Sequence, residues 1–141
     1  MDRTDAISKL TARGEQFELQ DITINGNVCK WFVNAPSTLP QMIKESISDQ
    51  TFYVYKTERY TFNETYQRAS SLAAELIEKY GISPGDRVAI GMRNYPEWPI
   101  AFTAITSIGG IVVALNAWWE SDELEYGLNH TGTKVAIVDQ E

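Results

Sequence analysis

A chain of 141 residues, 43% hydrophobic and 22% charged, has the composition of one globular domain or part of one, and can bury about two-thirds of its unfolded surface. Its formal charge of −7 argues against nucleic acid and anionic membranes as partners, since both are held by basic faces. Cys29 is the single cysteine, so neither a disulfide framework nor a cysteine metal site is expected; Asp2, Arg3, Thr4 and Asp5 lack a signal peptide's apolar stretch, and a cytoplasmic location follows.

Ile7 and Leu10 stand at helical spacing, which predicts a helix over residues 4–13 stopped by Gly14. Phe17 to Ile24 is expected to be extended, with a bulge near Gln20 and Asp21 where the apolar parity changes. Asn25-Gly26 is a strong hairpin turn, and Val28 to Val33 is the returning strand, with Val28 and Trp31 as packing residues. This arm, residues 1–36, is set apart from residues 37–141 by the Asn34-Ala35-Pro36-Ser37 linker. A helix over 38–48 follows, with Leu39, Met42, Ile43 and Ile47 on one face, then a small aromatic hairpin turning at Thr57-Glu58. Thr61-x-x-Glu64 is a capping box opening a long helix to Tyr80, with Tyr66, Ala69, Leu72, Ala73, Leu76 and Tyr80 inward and Gly81 past its end.

Arg87 to Asn116 reads as strand, helix, strand. Val88, Ala89, Ile90 and Met92 form the apolar run of a strand covered on both faces. Asn94 is placed to cap the next helix with Glu97 three residues on, and that helix is apolar nearly all round from Ile100 to Ile108. Gly109-Gly110 stops it, and Ile111 to Val113 begins a second buried strand that ends at Asn116. The stretch from Trp98 to Trp119 is uncharged and long enough to span a bilayer of about 30 Å. Pro99, the central glycine pair, the β-branched run behind them and the acidic flanks favour a buried βαβ unit instead, with no transmembrane span. Ser121 is the expected cap of a further helix carrying Leu124 and Leu128 inward and ending at Gly132, and Lys134 to Asp139 is a third buried strand. The fold class is therefore α/β: a partial doubly wound parallel sheet, βαβαβ, preceded by an N-terminal β-hairpin arm and a small hairpin. A chain stopping straight after a core strand predicts a truncated part of a larger domain.

Tyr60-Thr61-Phe62, Gly85-Asp86-Arg87-Val88-Ala89, Asn94 with Glu97, Gly109-Gly110, Leu115-Asn116, Glu123-Leu124 and Thr131-Gly132 occur in an order and spacing that carry the signal together. Over residues 37–141 this pattern resembles the start of the adenylate-forming, AMP-binding superfamily, and acyl-CoA synthetases in particular. The resemblance implies the N-terminal segment of an enzyme that joins a fatty or other carboxylic acid to ATP and passes the acyl group to coenzyme A, with Mg²⁺ in attendance. The family's phosphate loop and catalytic Lys lie further along the chain, so the segment alone is expected to be inactive, to hold no catalytic or metal-binding residue and to bind none of these cofactors. Two alternatives stay open: an acyl-AMP ligase delivering to a carrier protein, and a free-standing interaction module. Exposed sheet edges also make a homo-oligomer an expectation.

Thr131-Gly132-Thr133-Lys134 is too short for a phosphate loop and lies between a helix end and a strand start, the wrong order for one. His130 is expected at that helix's last turn, and Arg87 and Arg93 read as solvated strand ends with a phosphate contact as the alternative. Asn116-Ala117-Trp118-Trp119 is the stretch that stands out, because it follows the carboxyl end of a parallel strand, where open α/β sheets bind ligands. The resemblance puts this loop near the coenzyme A channel, where relatives often read Asn-Pro-Arg. Asn116, Trp118 and Trp119 are the substrate or coenzyme A channel candidates, with one Trp expected to face the core and the other the channel.

Overall fold

The structure, a computed structural model, describes residues 2–140 and divides into two compact units after Ser37. The first opens with α1 (Arg3–Leu10), capped by the Asp2 carboxylate on Asp5 N–H at 2.8 Å. This helix ends at Leu10, before Gly14, with the Thr11 N–H and hydroxyl both donating to the Ile7 carbonyl at its end. β1 (Leu19–Ile24) and β2 (Asn27–Phe32) form the expected hairpin, with Asn25 and Gly26 at φ of +48° and +83°, the two positive angles of a type I′ turn.

The expected bulge at Gln20 and Asp21 is absent: the register runs unbroken from Leu19 opposite Phe32 to Ile24 opposite Asn27. Every residue of β2 is exposed, Val28 to 72% and Trp31 to 41%, so neither is the packing residue expected. With no face sealed from water, apolar parity does not report the register here. The hairpin is held by its ladder, a cross-strand Lys30–Asp21 ion pair at 2.6 Å and an edge-on contact of Phe17 with Phe32.

The second unit begins with α2 (Leu39–Glu45), whose Thr38 cap accepts from Gln41 N–H at 3.2 Å. It is shorter than the 38–48 expected, with the Ser46 hydroxyl donating to the Met42 carbonyl at 2.8 Å at its end; Ile47 lies outside it, and Leu39 and Met42 are exposed. β3 (Thr51–Tyr55) and β4 (Glu58–Thr61) pair antiparallel. Tyr55 opposite Glu58 closes a two-residue loop, so the turn is Lys56-Thr57, one residue earlier than read from the sequence, with Lys56 at positive φ. α3 (Phe62–Glu78) carries the capping box in full: Thr61 Oγ1 accepts from Glu64 N–H and Glu64 accepts from Thr61 N–H. Ala69, Ala73 and Leu76 are buried, Tyr66 and Leu72 half-buried, and Tyr80, beyond the helix end, is exposed rather than inward.

β5 (Arg87–Gly91), β6 (Ile111–Ala114) and β7 (Val135–Val138) form a parallel sheet in the order β6-β5-β7. The central strand is sealed, with Val88, Ala89 and Ile90 at 0% exposure. Its neighbours are half-buried rather than core strands, each having a partner on one side only among the described residues. The strand after Gly110 also ends at Ala114, short of the expected Asn116. α4 (Glu97–Ser107) packs with α3 on one face of the sheet, where Val88, Ile90, Val112, Val135 and Ile137 meet Ala69, Ala73, Leu76, Ala101, Ala104 and Ile105. The four alanines let the two helix backbones approach closely.

Asn94 does not cap α4. Tight turns from Tyr95 N–H to the Arg93 carbonyl and from Trp98 N–H to the Tyr95 carbonyl lead into the helix, and Pro96 occupies the cap position without a side-chain bond. α5 (Ser121–Thr131) brings Leu124 and Leu128 to the other sheet face, beside Ala136 and Val138. Its cap is Glu120 rather than Ser121, with Glu120 N–H donating to Glu123 Oε2 at 2.9 Å. No helix among the described residues is long and apolar enough to cross a membrane, and the uncharged stretch from Trp98 is divided between α4, a glycine turn and β6.

Candidate functional site

The carboxyl ends of the three parallel strands open on one side of the sheet, at Gly91, Leu115 and Asp139. Leu115 N–H still donates to the Ile90 carbonyl at 3.0 Å, and there the chain leaves the ladder. Asn116 then turns it: its Oδ1 accepts from Trp118 N–H at 3.0 Å and its carbonyl from Trp119 N–H at 3.1 Å, an Asx-type turn built from one residue. The turn separates the two indoles. Trp118 is 78% exposed, whereas Trp119 is 36% exposed and lies against Gly127 of α5. Between Trp119, the sheet face and α5 is a cleft of about 260 Å³ whose lining includes Asn116 and Ala117. Asn116 and Trp119 thus share one cavity, and Trp118 does not line it.

Across the same edge, the Asp139 carboxylate accepts from Arg93 N–H at 3.0 Å and from Arg93 Nε at 3.2 Å, which ties the loop after β5 to the end of β7. Arg93 also lies over the Tyr95 ring, 5.0 Å from its centroid, and Tyr95 meets Tyr55 edge-on. The Tyr53 hydroxyl donates to the Pro96 carbonyl at 3.1 Å, and burial raises its pKa above the usual phenol value. Sequence reasoning named Arg93 but missed Asp139 as its partner, since nothing local links residues 46 positions apart. It also missed Gly127, for which a glycine inside a helical pattern was the available signal.

The remaining candidates stand elsewhere. Arg87 starts β5 and Lys134 precedes β7, both at the amino end of the sheet, away from the cleft. Lys134 Nζ bonds Asp86 Oδ1 at 2.7 Å, and Gly132 adopts the left-handed conformation that ends α5, so residues 131–134 are a helix stop and a strand clasp. His130 stacks on Tyr126 in the last turn of α5. Among the described residues no three His, Cys, Asp or Glu side chains converge as metal ligands.

Residues 43–141 match the family described as AMP-binding enzyme. A long-chain-fatty-acid–CoA ligase of Escherichia coli O6:H1 is 34% identical over 104 residues, covering 72% of this chain and 18% of the ligase. The 4-hydroxybutyrate–CoA ligase 2 of Metallosphaera sedula is 29% identical over 111 residues, covering 78% of this chain and 20% of that one. Among solved structures, the N-terminal subdomain of Klebsiella oxytoca NpsA superposes with a TM-score of 0.67 at 24% identity, covering 73% of this chain and 27% of that one, a likeness of fold. The chain therefore spans about a fifth of the length of the curated relatives it matches. By the extent of the family match, the chain belongs to the AMP-binding, adenylate-forming enzymes, a family that uses ATP, and corresponds to a segment of them.

Proposed function

We propose that this chain is the N-terminal segment of an ATP-dependent, AMP-forming acyl-CoA synthetase acting on a fatty or related carboxylic acid. The observation that carries the reading is the 34% identity to a long-chain-fatty-acid–CoA ligase over 104 residues; the family match over residues 43–141 takes in the strands, helix and loop that build the cleft. In such a reaction a carboxylate oxygen attacks the α-phosphorus of ATP and pyrophosphate leaves. The thiol of coenzyme A then attacks the acyl carbon and AMP departs. This segment contributes the sheet edge and the loop from Asn116 to Trp119, which we assign to the border of the substrate or coenzyme A channel. Residues 1–36 form an arm and residues 37–141 the first α/β portion of the enzyme's N-terminal domain; the break after Ser37 and the family match from residue 43 support that division. The lone Cys29 and the need for ATP favour the cytoplasm as the compartment.

ATP–pyrophosphate exchange tests this reading. The full reading frame that contains the chain should exchange with fatty acids and, given coenzyme A, release acyl-CoA, while the 141-residue chain should remain at the no-enzyme background. Exchange by the short chain would overturn its assignment as an inactive segment. Acyl-AMP formation without transfer to coenzyme A would favour a carrier protein as the acceptor.

A further inference from the structure

Gly127 is the seventh of the eleven residues of α5, an interior position where glycine is about 1 kcal/mol less favourable than alanine. It is also the one residue of α5 that is buried. What faces it accounts for the choice: a Cβ at this position would stand 3.0 Å from Cζ3 of Trp119 and 3.2 Å from Cδ2 of Leu115. The Trp119 indole rests on bare helix backbone. A Cβ at residue 127 would require the indole edge, with Leu115 beside it, to give by a few tenths of an ångström.

Seated there, Trp119 walls the cleft at the carboxyl edge, with Leu124 and Leu128 beside it and Leu115, Ala136 and Val138 on the sheet side. At about 260 Å³ the cleft is smaller than the roughly 300–1,000 Å³ that encloses a whole drug-sized ligand, so it suits a part of one. Its lining residues include Asp139 and the neutral Asn116, and no Lys or Arg. Arg93, a cation on this edge, is bonded to Asp139. An entering phosphate or carboxylate would lose its water without gaining a charged donor, whereas an alkyl segment would gain apolar contacts.

We propose that Gly127 seats Trp119 as the wall of a subsite that takes a short, uncharged apolar segment of a ligand and rejects anionic groups. The proposal rests on the reading that the Asn116–Trp119 loop borders the ligand channel, and it narrows that reading to one chemical class.

Indole N–H signals of the 141-residue chain, followed by NMR, provide the test, with Trp119→Phe identifying one of the four tryptophans. The probes are 1-hexanol, hexanoate and coenzyme A. Hexanol should shift the Trp119 signal saturably, hexanoate should need at least tenfold more, and coenzyme A should leave it in place. Gly127→Ala should move the Trp119 signal before any probe is added and weaken hexanol at least fivefold. In a Trp119→Phe background, where the ring is smaller, Gly127→Ala should be tolerated, so the proposal stays testable even if the single variant fails to fold. An unmoved Trp119 signal in Gly127→Ala, or failure of both Gly127→Ala chains to fold, would overturn the seating role. Hexanoate binding as tightly as hexanol, or no probe moving the signal, would overturn the apolar subsite. A shift by coenzyme A alone would overturn it too, while leaving the channel reading intact; that reading fails separately, in the exchange assay on the full reading frame.

Discussion

Asp86 joins the starts of two parallel strands. Its carboxylate takes the Lys134 ammonium at 2.7 Å and Ser83 N–H at 2.9 Å, and its side chain is only 17% exposed. The Lys134 hydrogen bond, followed by the Ser83 N–H, holds its pKa below the usual aspartate value. A depressed carboxylate stabilises the fold above the unfolded-state pKa of about 3.9, and that stabilisation is lost as pH falls through the lower folded-state value. Asp86→Asn should therefore lower the urea midpoint at pH 7, and its deficit relative to the parent chain should shrink steadily below pH 4. A deficit that stays constant down to pH 2 would show that the charge plays no part. Residue-scale facts of this kind divide by range. Thr61 with Glu64 is legible because a capping box lies within four consecutive residues, whereas the Asp86–Lys134 and Arg93–Asp139 pairs depend on chain crossings no local pattern records. Even local caps mislead where a neighbouring residue competes, as when Glu120 rather than Ser121 begins α5.

At the scale of elements, α3, α4 and β5 were legible because burial on one or all sides leaves its period in the residues themselves. The half-buried state of β6 and β7 was not, since it depends on how many strands and helices flank them; the seamless β1–β2 register was not, since no buried face selects it. In the candidate site, the Asn116–Trp119 loop stood out from its paired tryptophans, but Gly127 gained its meaning only once α5 was folded back onto Trp119. The contrast between α3 and α2 yields a prediction. α3 packs through Ala69, Ala73 and Leu76 into the core, so loss of its Thr61 cap should register in global unfolding. α2 has seven residues, none buried, so loss of its Thr38 cap should only fray it. Thr61→Ala should cost about 1 kcal/mol in urea titrations. Thr38→Ala should fall within about 0.5 kcal/mol of the parent chain, the range of surface substitutions. Equal losses would mean that α2 is as much a part of the cooperative unit as α3.

For the molecule as a whole, two properties act against each other. Apolar side chains remain in contact with water on both units: Trp31 and Phe32 with Val28 on the hairpin, Ile111 and the 65% exposed Val138 on the sheet. β1 and β2 pair only with each other among the described residues, so each leaves a ladder edge open. These features favour association of chains, while the net charge of −7 opposes it by mutual repulsion. Repulsion reaches about 30 Å at 0.01 M salt and about 8 Å at 0.15 M, whereas burial of apolar surface does not weaken over that range. The chain should therefore sediment as a monomer in dilute buffer and form larger species as salt and concentration rise. Charge pairing between copies would give the opposite trend, with salt dissolving the assemblies. Val28→Lys places a charge on the most exposed apolar residue of β2 and should move the onset of association to higher protein concentration. If that variant associates like the parent chain while Val138→Lys does not, the sheet rather than the hairpin is the sticky surface. A strictly monomeric species at 0.15 M salt and high concentration would mean that neither surface suffices to hold two copies together.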